Sequence, residues 1–123
     1  MAMRKILLID DERDFTELTG TLLDFHELSV DTVNDPLEAI KAAEKTHYDL
    51  IVTDIMMPNM NGFELIENLR RLDNYRKTPI IVLTAKQLSD EERKILLRND
   101  VHFQMKPFEP LGLVEQIRQL VGG

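Results

Sequence analysis

Four apolar runs in this 123-residue sequence hand over directly to residues that could do chemistry. Ile6, Leu7, Leu8 and Ile9 are followed by Asp10, Asp11 and Glu12; Leu50, Ile51, Val52 and Thr53 by Asp54. Ile80, Ile81, Val82 and Leu83 lead to Thr84, and a weaker run ending at Met105 leads to Lys106 and Pro107. A single polar residue after a strand ordinarily begins a loop or caps a helix. Three carboxylates in one crevice are different, because like charges repel and no structural need calls for them. A hard divalent cation does. Mg2+ takes one or two carboxylates, keeps several waters and shares the rest of its octahedron with phosphate oxygens. Lys106 would then be a point-charge clamp for a phosphoryl group, and Thr84 a neutral donor to one of its oxygens. A carboxylate is itself a competent nucleophile toward phosphorus, giving an aspartyl-phosphate. The set reads as metal-assisted phosphoryl transfer.

That chemistry requires a fold that brings four strand ends together. Continuous apolar runs such as residues 5–9, 49–53 and 79–83 mark strands buried on both faces, with weaker strands expected over 28–33 and 101–105. Helical spacing follows each one. Phe15, Leu18, Leu22 and Phe25 predict an inward stripe on the first helix, Ile40 and Ala43 on the second, and Leu65, Ile66, Leu69 and Leu72 on the third. Ile95, Leu96 and Leu97 mark the fourth helix, and Leu113, Val114, Ile117, Leu120 and Val121 the last. Asp35-Pro36-Leu37-Glu38 and Ser89-Asp90-Glu91-Glu92 read as capped helix starts. Five βα units in strict alternation imply an α/β fold: an open, doubly wound parallel sheet with right-handed crossovers. Sites in such sheets form outside the carboxyl ends of the strands.

Composition narrows the class further. The charge of −7 disfavours nucleic acid as a direct partner, and the absence of cysteine excludes disulfides and thiolate metal sites. The longest purely aliphatic runs are far too short to span a membrane, and no signal-peptide core follows Met1, so a cytoplasmic location is expected. The length suits one domain spanning residues 1–123, with no output domain.

With the motifs assembled, the sequence resembles the receiver domain of two-component response regulators. The likeness lies in Ile9-Asp10-Asp11-Glu12, the stretch from Asp54 through Met56-Met57-Pro58-Asn59-Met60-Asn61 to Gly62, Pro79 through Ala85, and Lys106-Pro107-Phe108. It implies a flavodoxin-like (βα)5 fold of strand order 2-1-3-4-5 and a phosphorylation-dependent signalling switch. Asp54 would accept the phosphoryl group from the phosphohistidine of a sensor histidine kinase or phosphotransfer protein. Asp11, Asp54 and the backbone carbonyl of Met56 would ligate Mg2+, for which Mn2+ can substitute, with Asp10 acting through a water. Lys106 would pair with the phosphoryl oxygens and with resting Asp54. Thr84 would move onto the phosphoryl group while Phe103 turns inward, altering the face formed by the fourth helix, fifth strand and fifth helix. The resemblance also implies a cis Lys106-Pro107 peptide. Met56 and Lys86 would tune the phosphate lifetime; methionine cannot position an attacking water, so moderate to slow self-dephosphorylation is expected. A downstream protein or a missing output domain would read the switch, from a monomer or a phosphorylation-dependent dimer.

Some residues depart from the family's pattern. Phe103 stands where many relatives carry tyrosine, and Gln104 lies in a strand expected to be buried, where it needs a partner or an edge position. Asn99 stands where the family usually has glycine and is expected to tolerate left-handed geometry. His26, His47 and His102 lack metal-ligand spacing to one another. The alternative function is an aspartate-nucleophile, Mg2+-dependent phosphohydrolase. That chemistry would want a second acid–base Asp two residues after Asp54, where Met56 stands. A flavodoxin-like cofactor binder is disfavoured, since the first loop is Asp-Asp-Glu rather than a Gly/Ser/Thr phosphate cradle.

Overall fold

A computed structural model describes residues 4–55, 57, 61–85, 87–106 and 109–122. The elements alternate as β1 (Lys5–Ile9), α1 (Arg13–Phe25), β2 (Ser29–Val33), α2 (Pro36–Lys45), β3 (Leu50–Thr53), α3 (Gly62–Arg71), β4 (Ile80–Thr84), α4 (Asp90–Arg98), β5 (His102–Met105) and α5 (Pro110–Val121). A short 3₁₀ turn, Asp73–Tyr75, precedes β4 and carried no sequence signal. The strands form one parallel sheet in the order β2-β1-β3-β4-β5.

Period-two alternation divides the strand residues between two cores. Leu7, Ile9, Ile51, Ile80 and Val82 pack with Ala39, Ala43, Leu65, Ile66, Leu69 and Leu96 on one face. Ile6, Leu8, Leu50, Val52, Ile81 and Leu83 pack with Leu23, Leu113, Val114 and Ile117 on the other. Residues of β1, β3 and β4 are consequently buried on both faces, which is why their sequences are apolar without alternation. Truncating one of them, as in Leu8→Ala, would cost about 2–5 kcal/mol. The edge strands β2 and β5 are much more exposed, matching their weaker sequence signals. Gln104 takes the expected edge position, half-buried, with its amide donating to Gln116 on α5.

Two helix starts follow the sequence. Ser89 and Glu92 close a reciprocal capping box on α4, and Asp35 accepts from the Leu37 N–H ahead of Pro36. The α1 stripe does so only in part: Phe15 and Leu22 pack partly buried against the core, but Leu18 and Phe25 are 75% and 81% exposed, and the buried residues are Thr16, Thr19 and Leu23. Close approach explains the shift of one residue around the helix. A Cβ on Gly20 would lie 3.4 Å from the Thr32 methyl of β2, so the face against the sheet holds small residues. Asn99 is also corrected. It has φ −95°, and the left-handed residue before β5 is Asp100, at φ 54°.

Candidate functional site

Strand register brings the chemistry together. Ile9 lies opposite Thr53, so the residues that follow, Asp10 and Asp54, leave neighbouring strands side by side. The Asp54 N–H donates to the Ile9 carbonyl at 3.1 Å, and the Asp10 N–H to the Val33 carbonyl at 3.2 Å. Thr84 pairs with Met105 at the ends of β4 and β5, and the Lys106 N–H donates to the Thr84 carbonyl at 2.9 Å. The sheet thus delivers Asp10, Asp54, Thr84 and Lys106 to one edge, with Asp11 beside them.

Carboxylate oxygens of Asp10, Asp11 and Asp54 lie within 4.8 Å of one another. Asp10 is fully buried, Asp54 nearly so, and Asp11 is exposed. The Lys106 ammonium spans the two buried ones, 2.9 Å from Asp10 Oδ2 and 3.3 Å from Asp54 Oδ2. Its pairing with Asp10, the shorter contact, was not anticipated from the sequence. Burial alone would depress the Lys106 pKa, but the hydrogen bond and charge of Asp10, joined by Asp54, outweigh it and hold the ammonium above the ordinary lysine value. Backbone N–H groups fix the other oxygens: Glu12 donates to Asp10 Oδ1 at 3.0 Å, and Ile55 to Asp54 Oδ1 at 2.6 Å. Oxygen donors of this charge and spacing fit a hard divalent cation.

The remaining expected residues divide. Thr84 is fully buried at the end of β4. Phe103 is 38% exposed on β5, with the Arg93 guanidinium 6.0 Å from its ring centre, so the described conformation has the ring outward. Met56, Lys86 and Pro107 lie outside the described residues, and with them the Met56 carbonyl, the rate-tuning positions and the Lys106-Pro107 peptide. Of the histidines, His26 caps α1, His47 stacks on Tyr75 at 5.7 Å and His102 begins β5, all apart from the carboxylates.

The sequence of residues 6–118 matches the family model described as the response regulator receiver domain. The chain belongs to that family. Curated relatives include a CpxR-homologue transcriptional regulatory protein of Haemophilus influenzae, 34% identical over 97% of this chain and 51% of its own length. The chain spans about half the length of most of the curated relatives it matches, although it covers 91% of an uncharacterised 14.6 kDa protein of Leptolyngbya boryana at 33% identity. Among solved structures, the chemotaxis protein CheY4 of Vibrio cholerae superposes with a TM-score of 0.90 at 31% identity, covering 97% of this chain and 99% of that one. The receiver domain of a sensor histidine kinase from Pseudomonas aeruginosa has a TM-score of 0.88 at 28% identity, covering 99% and 100%, and holds a magnesium ion in its active-site cleft. A receiver domain is a regulatory module rather than an enzyme turning over a separate substrate.

Two supports of the receiver site escaped the sequence reading. Asn34, just after β2, donates to the Asp10 carbonyl at 2.7 Å and to Thr16 Oγ1 at 3.0 Å, tying the β2–α2 loop to the carboxylate pair. An Asn placed at the end of the strand that pairs with β1 was the available signal. Gly62 begins α3 so close to β3 that a Cβ would lie 2.5 Å from Ile55 Cα and 2.8 Å from the Asp54 carbonyl. Any larger residue would push α3 and the end of β3 apart.

Proposed function

We propose that this receiver domain is a phosphorylation-dependent signalling switch in which Asp54 takes a phosphoryl group from the phosphohistidine of a sensor histidine kinase or phosphotransfer protein. The observation that carries the reading is the meeting of Asp10, Asp11 and Asp54 within 4.8 Å, spanned by Lys106. A carboxylate oxygen of Asp54 forms the new bond to phosphorus as the phosphorus–nitrogen bond breaks and its electron pair stays on the nitrogen. The group leaves as neutral imidazole, because its other ring nitrogen already carries a proton. Lys106 offers fixed positive charge to the phosphoryl oxygens, and the Thr84 hydroxyl donates to one of them. Asp11, Asp54 and the Met56 carbonyl would hold Mg2+, or Mn2+ in its place, with Asp10 linked through a water. Bound there, the cation supplies charge neutralisation to both the carboxylates and the incoming phosphoryl group. The magnesium ion in the related Pseudomonas aeruginosa receiver supports this assignment.

Once phosphorylated, Thr84 shifts toward the phosphoryl group and Phe103 turns from its exposed position into the space beside it. The face of α4, β5 and α5 then presents a different surface. Met56 and Lys86 set a moderate to slow loss of phosphate. The chain works as one receiver unit in the cytoplasm, as a monomer or a phosphorylation-dependent dimer. A downstream protein, or an output domain joined to this receiver in a longer protein, reads the change.

Incubation with a small phosphodonor and Mg2+, followed by intact mass measurement, tests the reading. One phosphoryl adduct is expected in the wild type and none in Asp54→Asn or after chelation. A wild type that takes no phosphate from several donors would overturn it, and so would an adduct that persists in Asp54→Asn.

A further inference from the structure

We propose that Phe15 is a positioning residue for Lys106, holding its ammonium between an aromatic face and the carboxylates of Asp10 and Asp54. The Lys106 Nζ lies 3.9 Å from the centre of the Phe15 ring, well inside the ~6 Å over which a ring face attracts a cation. The carboxylate contacts are at 2.9 and 3.3 Å, and only 17% of the lysine side chain is exposed. The ammonium is therefore enclosed by anions and an aromatic face, largely out of water, where the ring's field is least screened.

Local structure accounts for the placement. Phe15 is the third residue of α1, and helical side chains lean toward the helix N-terminus, here the end nearest the site. The stripe that predicted Phe15 as an inward residue identified a side chain that is half-buried beside the core and also borders the chemistry. Lysine has a flexible four-carbon stem, so carboxylates alone leave its head able to swing between them. A third carboxylate would restrain it but would compete for its N–H donors. A ring restrains it through the charge and leaves those donors to oxygen. A leucine in the same place would fill the volume without supplying the field.

The catalytic consequence rests on the phospho-acceptor reading; the resting contact does not. Replacing Phe15 with mono-, di- and trifluorophenylalanine keeps the size nearly constant while draining the ring face of negative potential. The logarithm of the phosphorylation rate from a small phosphodonor with Mg2+ should fall stepwise, by a total between about twofold and thirtyfold. In a Lys106→Met background the series should be flat. A flat series in the wild-type background would overturn the proposal. A second measurement needs no phosphate: the Lys106 ε-methylene protons should be shifted upfield by the ring, shifted still in Phe15→Trp, and released in Phe15→Leu. Unshifted protons in the wild type would overturn the contact itself. Shifted protons in a wild type that takes up no phosphate would uphold the contact and sink the phospho-acceptor reading.

Discussion

The two edges of the sheet handle polar groups in opposite ways. At the amino edge several polar groups meet complements among the described residues. The Lys5 N–H donates to Asp49 at 2.9 Å, the Tyr48 hydroxyl donates to Asp31 at 2.6 Å, and the Tyr75 hydroxyl lies 2.8 Å from the carbonyls of Ala43 and Thr46. Arg70 reaches four backbone carbonyls, those of Tyr75, Thr78, Asn99 and Asp100, at 2.6–3.2 Å. It stitches α3 to the segments entering β4 and β5. At the carboxyl edge three carboxylates crowd against one lysine. The groups named at one edge have their charges and dipoles matched, as stability asks; at the other, among the described residues, three carboxylates are drawn together around a single ammonium.

Substituting the central cation at each edge should separate these roles. Lys106→Met removes a preorganised donor from the proposed phosphoryl site and should slow phosphorylation about 100- to 1,000-fold. Arg70→Met should leave that rate within a few-fold of wild type, yet cost about 3 kcal/mol, because hydrogen bonds from a charged donor to partly buried carbonyls are lost together. Urea unfolding and phosphodonor kinetics on both variants check the pair. A large rate loss in Arg70→Met would mean that the edges are coupled through α4.

This division was only half legible in the sequence. The carboxyl edge could be read because its residues stand directly after apolar strands, and parallel topology sends every strand end to the same side. The amino edge could not, because Arg70 and Tyr75 bind backbone carbonyls, which every residue carries, so no pairing of side-chain types betrays them. The same limit hid Asn34 and Gly62, whose partners are the main chain around Asp10, Asp54 and Ile55. Half of the α1 stripe, Leu18 and Phe25, misled for another reason. Hydropathy weighs side-chain size, whereas a helix lying close over β2 selects small residues such as Thr16 and Thr19.

A smaller effect belongs to the amino edge at high pH. Burial, reinforced by the hydrogen bond and charge of Asp31, raises the Tyr48 pKa above its ordinary value of 10.0. A raised pKa gives stability that is whole below the unfolded value and declines above it, because the unfolded phenol ionises first. Wild type should weaken from about pH 10 upward. Tyr48→Phe should be less stable by about 1.5 kcal/mol at pH 8, having lost a bond to a charged acceptor, and should converge on wild type by about pH 11. Urea midpoints across that range test it; parallel curves would refute the assignment.

The smallest change should come from Asp11, with the opposite sign. Asp11 is exposed while Asp10 and Asp54 are buried, and its oxygen lies within 4.8 Å of theirs. At that distance two unit charges repel by about 1 kcal/mol in the dielectric of water. Exposure and salt bring the measured value below this, while the buried neighbours keep it above zero. Asp11→Asn should therefore stabilise the metal-free protein by up to about 1 kcal/mol, most clearly at low salt. Mg2+ should reverse the ranking. At about ten times its dissociation constant the cation stabilises a protein that binds it only when folded by about 1.4 kcal/mol, a gain that Asp11→Asn should forfeit under the proposed ligand role of Asp11. Unfolding with chelator and with Mg2+ should thus place the variant above wild type in one condition and below it in the other. An unchanged order would mean that the negative edge is not held in tension for a cation, and the contrast between the two edges would lose its functional meaning.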